Sequence, residues 1–160
     1  MLPAYRFPIA ATALALLTGM AAPVLADDAA DEAFYHRASE CAAAMQVDQF
    51  ALVARVRSGD KSVRPALFDI TKLGFTYVGR AWQRGLQQPR ADQMLKAAIE
   101  EQKDWPAARH ASTVTECRAE AQKIYDDAGL WKMALDGLAN KRVNRYMSMP
   151  PLPAASAASN

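Results

Sequence analysis

The chain has 160 residues, 51% of them hydrophobic and 22% charged, with a formal net charge of +2. That length suits one domain with a real core, and so balanced a charge supplies no global field to draw the protein to nucleic acid or to an anionic surface. Two cysteines and two histidines leave little material for metal or thiol chemistry.

The first residues carry a single charge, Arg6, and Phe7 to Leu25 are almost wholly apolar before the acidic pair Asp27-Asp28. The run closes on Val24-Leu25-Ala26, the small-residue pattern at which a secretory signal is cut. Residues 1–26 are therefore expected to be a signal peptide cleaved after Ala26. Pro8, Gly19 and Pro23 interrupt the run, which argues against a retained membrane anchor. The expected location is periplasmic or secreted, with no stable membrane span after cleavage.

From Asp27 the pattern is helical. Phe34, Ala38, Cys41, Ala42 and Met45 recur at spacings of four and three, and Asp27, Asp28, Asp31 and Glu32 are placed to complement the positive end of the helix. The stripe loses phase at Gln46 to Gln49 and restarts with Phe50, Val53 and Val56, which predicts a bend or two helices before the turn Ser58-Gly59-Asp60. Ser62 looks like an N-cap ahead of Pro65, a residue tolerated in a first helical turn.

The helix that follows is predicted to run to about Gln87. Leu67, Ile70, Gly74, Val78 and Ala81 form its inner face, with Phe68, Phe75 and Trp82 beside it at spacings of seven. Gly74 and Gly79 each cost about 1 kcal/mol relative to Ala inside a helix, and close approach of another backbone is the expected compensation. A third helix begins at Pro89, carries Met94, Leu95, Ala98 and Ile99, and stops at Trp105-Pro106, because the residue before proline avoids the helical region. A fourth, about Ala107 to Asp127, turns Val114, Cys117, Ala121 and Ile124 inward and closes at Gly129. The last, about Leu130 to Met147, presents Leu130, Ala134, Leu135 and Leu138, with Lys141, Arg142 and Arg145 near its negative end. Residues 148–160, rich in Pro, Ala and Ser, read as a disordered tail.

The fold class is thus all-α: a small bundle of four to five helices over residues 27–147, orthogonal or up-and-down. In an exported chain, Cys41 and Cys117 on inner faces of different helices are expected to form a disulfide, worth roughly 4 kcal/mol in the chain-entropy model.

Candidate chemistry is sparse. His36, Cys41, His110 and Cys117 are zinc-ligand types, but His36 to Cys41 is five residues, a turn of about 140° on a helix, and His110 to Cys117 is nearly two turns, so neither His–Cys pair readily chelates from one face. A haem held by His110 with Met45 or Met94 lacks the C-x-x-C-H of covalent attachment, and the methionines fit better as core filler. No phosphate loop, catalytic triad order or nucleophile elbow occurs, so no cofactor, metal or catalytic residue is expected.

Segment 60–90 carries six basic residues against Asp60 and Asp69, with Tyr77 and Trp82 interleaved. Arg80, Arg84, Trp82 and Tyr77 form the candidate binding surface, able to contact an acidic patch or phosphate, while the acidic segment 100–127 could simply pair with it. The function expected is a non-catalytic module that binds another envelope or secreted protein, comparable in architecture to inhibitor or immunity-type proteins. The alternative is a small apolar ligand or cofactor carrier, with a cleft left by Gly74, Gly79, Ala81 and Gly85 and lined by Phe68, Phe75 and Met94.

Overall fold

A computed structural model of the protein describes residues 22–151. Five α-helices follow one another: α1 (Ala22–Arg57), α2 (Arg64–Gln83), α3 (Gln88–Gln102), α4 (Ala107–Asp126) and α5 (Trp131–Met147), with a single 3-10 turn at Lys61–Val63. No strand is present among the described residues, so the all-α class stands. The expected signal peptide lies outside the described residues except for its last five, and the tail does so from residue 152.

The breaks between helices come from residues that cannot continue one. Gly59, Gly85 and Gly129 take φ of 101°, 101° and 55°, and Pro106 stands just before α4 as its N-cap. Gly85 explains why α2 ends at Gln83 rather than near Gln87: its left-handed backbone, cheap only for glycine, closes the helix four residues early. Ser62 is not an N-cap: Asp60 caps the 3-10 turn, and α2 starts after Val63 with no side-chain cap. One Asp60 carboxylate oxygen accepts from the Ser62 N–H at 3.0 Å and from its hydroxyl at 2.5 Å.

The expected division of this segment into two helices is not found. The helix is continuous for 36 residues, and the reason lies at Gln49. Its side chain takes the inward position four residues after Met45 and donates to Thr71 Oγ1 at 2.7 Å, so the stripe passes through a polar residue and resumes at Leu52, Val53 and Val56. Phe50, expected within the stripe, is exposed. Because α1 already begins at Ala22, Asp31 and Glu32 sit well inside it. They pair with Arg84 at 2.9 Å and with Arg90 instead of facing the helix end.

Contacts fix the directions of the helices. Tyr35 to Arg84 and Gln49 to Thr71 make α2 antiparallel to α1. Glu32 to Arg90 and Glu40 to Gln102 make α3 parallel to α1, and Arg37 to Glu120 with Asp48 to His110 make α4 antiparallel to it. Trp82 against Trp131 and Arg64 to Asn144 run α5 antiparallel to α2. The main core lies among α1, α2, α4 and α5 and is built on Ala38, Cys41, Met45, Leu67, Leu73, Tyr77, Ala121 and Val143. Cys41 and Cys117 meet inside it at disulfide distance, with sulfurs 2.00 Å and Cα atoms 5.4 Å apart across 76 residues of sequence. α3 is peripheral. It has no buried residue and packs along α1, while α5 packs along α2.

Charge pairing runs through α1 rather than between α2 and α4. Arg37 of α1 reaches Glu120 at 3.0 Å and Glu116 at 3.7 Å. The acidic surface of α4 is thus held by the central helix, and the ion pair made directly between α2 and α4, Arg118–Asp69 at 2.7 Å, has the opposite polarity, with the cation on α4.

Candidate functional site

α2 carries two apolar stripes. Leu67, Ile70, Leu73, Tyr77 and Ala81 face the core and are buried, while Phe75, Val78 and Trp82 lie on an adjacent face. α5 repeats the arrangement: Leu135, Ala139 and Val143 are buried, and Trp131 and Leu138 are not. The inner face of α5 is therefore rotated from the one expected, since Leu130, Ala134 and Leu138 are all exposed. The second stripes of α2 and α5 face α3 across an apolar groove.

The groove encloses about 610 Å³, within the range of roughly 300–1,000 Å³ common for small-molecule sites. Ala38, Ser39 and Ala42 of α1 and Ala81 of α2 give a floor of small side chains; Leu86, Ala91 and Leu95 line the α3 side; Trp131, Leu135 and Leu138 line the α5 side. Trp82 and Trp131 meet edge to face at one end, with ring centroids 6.4 Å apart. At the other end the Arg142 guanidinium stands 5.9 Å from the Phe75 ring centroid. Phe75 to Trp82 spans seven residues of α2, about 10 Å along the helix. The rim is unusually apolar for solvent-facing residues: Val78 is 57% exposed, Trp82 60%, Trp131 47% and Leu138 52%. Contiguous exposed surface of this kind marks binding sites more often than scattered single residues do.

The residues read from sequence as one binding surface are divided by the fold. Tyr77 is fully buried; it points into the core because it occupies the Leu73–Ala81 stripe, and its hydroxyl donates to the Cys117 carbonyl at 3.1 Å. Burial, followed by the neighbouring Glu120, raises its pKa well above the ordinary tyrosine value. Arg84 is committed internally: it pairs with Asp31 and lies 4.4 Å from the Phe34 ring centroid. Its carbonyl accepts from Tyr35, whose pKa is raised by burial and by Asp31 and Glu32. Arg80 and Trp82 are the exposed members, and Trp82 belongs to the groove.

Of the residues named for a ligand cleft, Gly79, Ala81 and Phe75 line the groove. Phe68 packs on the main core, and Met94 packs against Tyr35, Ala81 and Leu86. The expected close backbone approach at the glycines is not found. A Cβ on Gly74 would meet nothing within 4 Å, and one on Gly79 would make an ordinary 3.6 Å contact with the Leu135 side chain. Gly74 instead lines a second cavity of about 220 Å³.

Metal and nucleophile chemistry has no assembled site. Cys41 and Cys117 face each other at disulfide distance, His36 is exposed, and His110 sits beside Asp48, Nε2 to Oδ1 3.5 Å. No cluster of three or more His, Cys, Asp or Glu with metal-binding geometry occurs among the described residues. Met45 lies in the main core and Met94 in the smaller cluster around Tyr35, so a haem bracketed by His110 and these methionines has no common pocket.

The sequence pattern grouped Leu135 with Leu138 but did not join Trp131 and Arg142 to them. The available signal was surplus: α2 and α5 each hold more apolar residues than one core-facing stripe needs. Among the described residues no helix is long and apolar enough to cross a membrane. No protein-family model, no curated protein and no solved structure matches the chain.

Proposed function

We propose that this protein is a non-catalytic binding protein of the cell envelope or its exterior, and that it holds a small apolar ligand in the groove between α2, α3 and α5. The carrying observation is the groove itself: about 610 Å³ of space with apolar walls and few polar groups, the composition of a ligand site. Export is supported by the charged start and apolar run of residues 1–26, and by a disulfide-distance pair suited to an oxidising compartment.

A neutral apolar dye, N-phenylnaphthylamine, tests the reading. The full chain should bind it at one saturable site, and Leu138→Glu, which places a carboxylate on the groove wall, should weaken binding about tenfold or more while circular dichroism stays unchanged. Dye affinity equal in the parent and in Leu138→Glu would overturn the assignment.

A protein partner is the second reading. It is favoured by the exposure of Trp82 and Trp131, since tryptophans at the centre of an apolar patch are typical energetic anchors of protein interfaces. Arg80 lies on the same helix as Trp82. Under this reading Trp131→Ala abolishes capture of a defined partner, and Arg80→Ala weakens it with a salt dependence expected of an exposed charge.

A further inference from the structure

The two ends of the groove differ in charge. At the tryptophan end α3 contributes Asp92, whose carboxylate accepts from Gln88 at 2.7 Å. At the Phe75 end stands Arg142. All ion pairs among the described residues are made by other side chains, so the Arg142 guanidinium, which lies by the Phe75 ring, has no carboxylate partner among them. Next to Arg142 a second cavity, of about 220 Å³, adjoins the groove: it shares Phe75, Val78, Leu95 and Arg142 with it and adds Gln46 and Tyr146. An amide and a phenol there supply neutral hydrogen-bond donors. An apolar groove about two helical turns long thus has an aromatic pair at one end and, at the other, one cation beside an adjoining pocket with neutral donors.

We propose that the groove binds a single-chain anionic amphiphile, its alkyl tail lying along α2 from Phe75 to Trp82 and its acidic headgroup held by Arg142. This rests on the carrier reading and goes further, naming the ligand's charge and its direction. The reverse orientation would bring the headgroup to Asp92 and leave Arg142 facing methylenes. A guanidinium is suited to the task because its donors form a planar fork matched to carboxylate or phosphate oxygens.

The test uses dodecanoate, dodecanol and dodecylammonium, each below its aggregation concentration, on the full chain carrying Trp105→Phe so that emission reports the groove pair Trp82 and Trp131. Dodecanoate should bind one to one with a blue shift, about tenfold more tightly than dodecanol, and dodecylammonium should bind most weakly. Arg142→Gln should reduce dodecanoate to the affinity of dodecanol and leave dodecanol unchanged. Equal affinities for all three probes, or dodecanoate binding untouched by Arg142→Gln, would overturn the assignment of charge while leaving the carrier reading intact. Failure of every probe to bind would overturn both.

Discussion

Tyr77 illustrates how one buried polar atom is reconciled with a core. Its hydroxyl is enclosed and donates to the Cys117 carbonyl, so it satisfies its own polarity beside the disulfide. Replacing it with Phe removes one buried hydrogen bond and should cost about 1 kcal/mol at neutral pH. The same burial sets a pH response. Tyr77, Tyr35 and Tyr125 all have pKa values raised first by desolvation, so the folded chain keeps these protons after the unfolded chain loses them near pH ~10. Their contribution to stability is complete below that pH and is lost as pH rises above it. Urea titrations across alkaline pH should therefore show stability falling above about pH 10, with the deficit of Tyr77→Phe narrowing there, because phenylalanine has no proton to retain. A deficit that widens with pH would contradict the burial assigned to Tyr77. Nothing in the sequence marked Tyr77 as internal: an aromatic with a hydroxyl, set among arginines, reads equally well as a surface residue until Leu73 and Ala81 are known to share its stripe.

At the scale of elements, α1 and the cross-link make separable claims. Val47 is 55% exposed and lies in the stretch where the hydrophobic phase of the sequence breaks. Val47→Pro should cost about 3 kcal/mol or more, since proline breaks a helix interior, whereas Val47→Ala should change stability little. Equal tolerance of both in thermal unfolding would mean a break in α1 at that point. Replacing both Cys41 and Cys117 by Ser should cost roughly 4 kcal/mol in the chain-entropy model, read as a lower denaturation midpoint. Gly74 and Gly137 lie in helices, and a Cβ added to either would meet nothing within 4 Å. Each should gain up to about 1 kcal/mol on substitution by Ala.

The end of α2 at Gly85 was missed, but the other helix ends were legible in the sequence because Gly59, Pro106 and Gly129 act through local backbone geometry. Continuity through Gln49 was not, because it depends on Thr71, a partner 22 positions away in sequence.

On the scale of the whole molecule, the protein is a bundle whose outermost layer is incomplete. α3 and α5 flank the α1–α2 pair without closing over it, and the second apolar stripes of α2 and α5 stay open to solvent. The sequence contained the residues of that groove, and Phe75 and Trp82 stood out as a side stripe, but periodicity cannot say which of two stripes a neighbouring helix will cover. The rotation of α5 decided it, turning Leu135, Ala139 and Val143 inward and leaving Trp131 and Leu138 on the groove. The basic-aromatic cluster dissolved for the converse reason: closeness in sequence on α2 placed Tyr77 and Trp82 on different faces.

The groove is the claim on which the functional account rests, and its location can be read directly. Amide and methyl chemical shifts of the isotope-labelled full chain, followed during titration with N-phenylnaphthylamine, would map where an apolar ligand sits. Saturable shifts should be confined to residues 38–42, 75–82, 86–95 and 131–142, the segments that line the groove. Shifts centred instead on the opposite side of α1, around His110 to Arg118, or scattered without saturation, would contradict it.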